Sequence, residues 1–180
     1  MKIWAALSNA VQGWIQIVRG QAGWRDHFAI SKPGLVTALL IFFFFAFLAI
    51  ALSSTAVGMP GSVGIIMALV VQGLLLVALL LAILIIAKVR KTPQPLLELM
   101  VPGTYALTGY LIFGSLADLF GDFALVLIWL GLGYLLYQLA VVATAWSRGV
   151  SAAFAVLTIA LLVGLPATLY MLASVAIPHP

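Results

Sequence analysis

The sequence predicts an all-α polytopic membrane protein, a bundle of five transmembrane helices preceded by an interfacial amphipathic helix, with a cytoplasmic N-terminus. Three observations predict it. The chain is 66% hydrophobic and 7% charged, where a soluble domain carries about 25% charged residues. Its apolar residues form long unbroken runs and not the every-second-residue alternation of a barrel strand, so the backbone satisfies itself in lipid as helix. All eight Lys and Arg fall on segments that a five-span path places on one side.

The elements follow in order. Residues 3–19 carry Trp4, Leu7, Val11, Trp14, Ile15 and Val18 at three- and four-residue spacing, with Ser8, Asn9, Gln12, Gln16 and Arg19 elsewhere around the helix. This is the pattern of a helix lying in the headgroup layer, where tryptophan is favoured, and Trp24 extends the expected anchor. The alternative is a helix packed on a soluble face of a partner subunit. A span needs about 20 apolar residues, and five segments qualify: 34–53, 63–87, 96–118, 123–145 and 152–177. Ser31 is suited to cap the first span and Pro33 to sit in its first turn. Lys88 to Lys91 end the second, and Pro93 and Pro95 break the path to the third. Gly121 separates the third from the fourth, and Trp146 to Gly149 separate the fourth from the fifth. The domains are therefore a cytoplasmic segment 1–33, a bundle 34–177 and an extracytoplasmic tail 178–180.

Lys2, Arg19, Arg25, Lys32, Lys88, Arg90, Lys91 and Arg148 all lie on the side of the N-terminus in this path. That is the positive-inside pattern, and it accounts for the basic balance without a nucleic-acid partner. Cysteine is absent, which removes disulfides and thiolate metal sites. His27 and His179 fall on opposite sides, so one subunit cannot bring them together on a metal. No hydrolase triad, P-loop or dinucleotide fingerprint is present, and no cofactor is expected.

The candidate ionisable groups are Glu98, Asp118 and Asp122. Asp118 and Asp122 stand four apart at a span boundary, either a solvated turn or a carboxylate pair sharing a cation or proton. Glu98, one turn into the third span, suits a helix N-terminus, with Arg90, Lys91 and Lys32 as expected partners. Pro102 and Pro166 interrupt the third and fifth spans and free the carbonyls of Glu98 and Leu162. Thr104, Tyr105 and Thr108 on the third span, with Tyr134, Tyr137 and Gln138 on the fourth, form a polar stripe. It serves as interhelical glue or lines a ligand groove, and Gly131 and Gly133 permit close approach. Gln72 is a lone polar group expected to pack inward. Phe42 to Phe45 and Phe47 circle the first span, so some face lipid or another protein.

The segments KVRKTPQPLLELMVPGTYALTGYLIF and LVLIWLGLGYLLYQLAVVATAWSRGVSAAFAVLTIALLV resemble the Yip1 family of small five-span membrane proteins, over residues 34–177. The first looks like that family's basic, proline-containing passage between spans, the second like its fourth span, basic turn and small-residue fifth span. Eukaryotic members carry a DLYGP-type motif ahead of the first span. Here the similar string, Asp118 to Gly121, stands on another segment, so binding of Rab-type GTPases does not carry over. The resemblance is closer to the bacterial members and implies partner binding or membrane organisation, with no functional residue assigned.

The expected function is a noncatalytic scaffold, membrane organiser or accessory subunit in a bacterial inner membrane, with other membrane subunits or itself as partner. The alternatives are a small oligomeric transporter or channel and an intramembrane enzyme using Glu98, Asp118 or Asp122.

Overall fold

The computed structural model of the protein describes residues 3–58, 61–91, 96–117 and 122–176. Among these residues all regular structure is helical. Helix α1 (Ile3–Val18) is followed by a short 3-10 helix (Ala22–His27). Then come α2 (Lys32–Val57), α3 (Ser62–Arg90), α4 (Leu96–Ala117), α5 (Asp122–Ala143) and α6 (Arg148–Ala176). Helices α2 to α6 are long and apolar enough to cross a membrane, so the chain is an integral membrane protein. The five expected spans are all present; α2 and α3 start earlier and run longer than their apolar cores.

The expected helix ends are built as the residues suggest. Ser31 Oγ accepts from the Gly34 amide at 3.1 Å, satisfying one of the orphan donors of α2. Lys91 closes α3 in the left-handed region, at a φ of 52°. Ser147 Oγ accepts from the Val150 amide at 3.4 Å where α6 begins. Gly20, at a φ of 67°, ends α1 in a conformation that costs glycine least.

Helix α4 packs on α2, α3 and α5, and α6 closes the bundle between α5 and α3. Of the five spans α4 is the most enclosed, with 56% of its core window buried. Lipid provides no hydrophobic drive between helices, so close packing and small contact residues hold them together. Polarity does not mark the inner face of α2, where Phe runs right round the helix; two alanines flank its buried phenylalanine. Ala38, Phe42 and Ala46 are buried, while Leu40, Phe43, Phe44 and Phe47 point outward. Ala78 and Ala82 mark the inner face of α3 in the same way. Gly103 brings α4 against α3 so closely that a Cβ there would lie 2.7 Å from Leu79 Cδ2.

Alternating helix directions place Lys32, Lys88, Arg90, Lys91 and Arg148 at one end of the bundle, with α1. In the half nearest this basic end, Leu79, Ile83, Leu99, Leu107, Leu136, Leu139 and Phe154 have no exposed surface.

Candidate functional site

The N-terminal segment is a folded cap docked on the basic end of the bundle. Helix α1 has three faces. Ala6, Ala10, Gly13 and Ile17 are buried, and this side packs on the 3-10 helix and on α5 and α4. Trp4, Val11, Ile15 and Val18 form a second, exposed apolar face, with Leu7 and Trp14 half-buried beside it. Ser8, Asn9, Gln12 and Arg19 form the third. The small residues of the first face leave room for Phe28: a Cβ on Gly13 would lie 2.9 Å from Phe28 Cζ.

Phe28 is the hub of the cap. Its ring meets Trp14 at 6.5 Å, Trp24 at 6.1 Å and Tyr105 of α4 at 5.9 Å between centroids, the first two edge-on. Trp24 departs from its expected role as a membrane anchor. It has no exposed surface, so it serves as the cap's core while Trp4 carries the exposed aromatic. Gln16 Nε2 lies 2.8 Å from His27 Nε2, tying α1 to the end of the 3-10 helix.

An ion pair fastens the cap to α4. Arg25 Nε and Nη2 both donate to Glu98 Oε2, at 3.0 and 2.6 Å. The Arg25 guanidinium also stacks over the Trp24 ring, 4.6 Å from its centroid, where the ring quadrupole favours a cation. Glu98 therefore finds its partner in Arg25, and not in Arg90, Lys91 or Lys32. A shared membrane side suggested the latter; docking of the cap brings in the former from that same side.

The expected polar stripe does not form a single surface. Thr104 Oγ1 donates to its own helix at Met100 O, 2.8 Å away, and Thr108 Oγ1 to Thr104 O at 2.9 Å. On α5, Gln138 Nε2 donates to Tyr134 Oη at 2.8 Å, one turn away on the same helix. Tyr105 turns to Phe28, and Tyr137 packs against the core. Among the described residues no hydrogen bond joins the α4 set to the α5 set. Gly133 meets Ile159 of α6 at ordinary contact distance, while Gly131 faces open space. Asp118, His179, Pro93 and Pro95 lie outside the described residues, as does the side chain of Asp122.

A cavity of about 650 Å³ that the sequence reading did not anticipate opens between the five spans, in the half away from the basic end. Ala49, Ser53, Ser54, Ala68, Gly114 and Ser115 line it with small side chains, and Tyr110 and Trp129 form an aromatic wall at 4.8 Å between centroids. Gln72 and Pro166, singled out in the sequence, both border it. The signal that marks it is the gathering of small residues in the same half of successive spans. Ser53, Ser54 and Ser115 donate to carbonyls of their own helices, so these hydroxyls are already satisfied.

Among the described residues no group of three or more His, Asp or Glu could hold a metal. Comparison with family models, with curated proteins and with solved structures finds no match.

Proposed function

We propose that the protein is a noncatalytic scaffold, membrane organiser or accessory subunit, working by binding and not by chemistry. The observation that carries this reading is the commitment of the described span carboxylate and of the span threonine hydroxyls. Glu98, the carboxylate of the spans whose side chain is described, is held by Arg25, and the span hydroxyls of Thr104, Thr108, Thr144 and Thr158 bond to their own helices. What remains on the outside is apolar surface. The stripe of Phe43, Phe44 and Phe47 on α2 suits a second membrane subunit or another copy of the chain.

The resemblance to bacterial members of the Yip1 family supports the same reading. A bacterial inner membrane is the proposed location, N-terminus in and C-terminus out. The gathering of basic residues at the end of the bundle that carries the cap supports this orientation. In it, Trp4, Val11, Ile15 and Val18 reach the cytoplasmic headgroup layer.

The test is affinity purification of the tagged protein at native abundance in mild detergent, read by mass spectrometry. A stoichiometric membrane partner or a defined homo-oligomer is expected; consistent recovery as a lone monomer overturns the reading. The cavity favours a second reading, a small transporter or channel. Solute flux into proteoliposomes tests it, and flux equal to empty liposomes across a broad panel removes it.

A further inference from the structure

We propose that the cavity between the spans is a binding site for one uncharged lipid, a hydrocarbon chain carrying a hydroxyl or carbonyl head. This goes beyond the scaffold reading and does not depend on which protein partner is bound.

Four observations select this ligand. The volume, about 650 Å³, lies in the range of specific small-molecule sites, about 300–1,000 Å³. The lining holds no Asp, Glu, Lys or Arg among the described residues, and Ala49, Ile50, Val71, Leu125 and Val163 make most of it apolar. A charged head would lose its hydration there with no counter-charge to replace it. An uncharged chain loses nothing, and it packs on the ring pair of Tyr110 and Trp129.

The third observation is the polar pair. Gln72 and Tyr110 border the cavity, and among the described residues neither side chain has a hydrogen-bond partner, in contrast to the serines. Polar groups facing a hydrocarbon interior are costly until they are paired. The amide offers both a donor and an acceptor, and the phenol does the same. Together they suit a hydroxyl or ester carbonyl at the head of a lipid.

The fourth is the floor. Leu75, Leu111 and Leu162 close the cavity toward the middle of the bundle. Beneath them Leu79, Leu107, Leu139 and Phe154 have no exposed surface. The cavity therefore does not continue into the half beneath it in this conformation, which suits retention of a ligand.

The experiment uses the full chain in mild detergent. Dibrominated oleyl alcohol is titrated while tryptophan emission is followed, since bromine quenches a nearby indole and Trp129 is the cavity's own. Saturable one-site quenching is expected, with dibrominated oleate at least tenfold weaker because it differs in bearing a charge. Ala68→Phe, which places a ring in the cavity, abolishes the saturable component. Gln72→Leu preserves volume and weakens binding of the alcohol about tenfold. Non-saturable quenching, equal affinity for alcohol and carboxylate, or quenching unchanged in both variants overturns the proposal. Should Ala68→Phe fail to fold, Gln72→Leu decides the matter alone.

Discussion

Arg25 and Glu98, 73 positions apart, meet through two donors on a single carboxylate oxygen, at 3.0 and 2.6 Å. The contact joins the 3-10 helix of the cap to the first turn of α4. It also gives the carboxylate at the start of the most enclosed span a charged partner.

Replacing Glu98 by Gln weakens this joint. Both side chains retain solvent contact, 45% and 26% exposed, and such pairs contribute about 0–1 kcal/mol. Global stability therefore changes little, while protease cleavage within residues 19–31 speeds up several-fold. Arg25→Glu combined with Glu98→Arg restores much of the protection. Identical cleavage in all three proteins would show that the ion pair does not hold the cap.

Phe28→Ala acts more strongly. It removes the ring shared by Trp14, Trp24 and Tyr105, and large-to-small changes at buried aromatics cost about 3–5 kcal/mol. The cap loosens and the spans persist. Red-shifted tryptophan emission with unchanged helical circular dichroism is the expected result.

Gly34→Ala fails for a different reason. The added Cβ would overlap the Ala29 carbonyl, which doubles back over the first turn of α2. Backbone cannot give way as a side-chain tip can, so the Ser31 cap opens and stability falls by about 1–3 kcal/mol. Thermal unfolding in detergent measures this, with Gly131→Ala, a site facing open space, as the control that stays close to wild type.

Thr104→Val and Thr108→Val distinguish own-helix bonding from glue between helices. Since both hydroxyls bond their own helix, each change costs less than about 1 kcal/mol. A larger loss would mean that the hydroxyl reaches a neighbouring helix.

The spans and their ends were legible in the sequence because each rests on local chemistry: run length, the Ser31 cap, the basic stop after α3. The site was less so. Trp4 and Trp24 look alike in sequence, both aromatic and near basic residues, and only docking on Phe28 separates the exposed ring from the core one. Glu98 was given partners by membrane side, which does not say which basic residue a folded cap carries in. The hydroxyl of a span threonine has a carbonyl of its own helix within reach, a competitor that residue spacing does not reveal. The cavity arises from five segments together, so no single window of sequence contains it.

The spans also differ in length. Helices α3 and α6 have 29 residues each and pack on one another, whereas α4 and α5 have 22. At a rise of 1.5 Å per residue these are about 43 and 33 Å, against a hydrocarbon layer of about 30 Å. The shorter pair fits with little tilt. The longer pair has to lean, let its ends emerge or draw the surrounding lipids taller. To the extent that the lipids adjust and not the helices, one flank of the protein is matched to a thinner bilayer than the other. In a membrane of uneven thickness such a molecule has a preferred bearing, with α3 and α6 turned toward the thicker side.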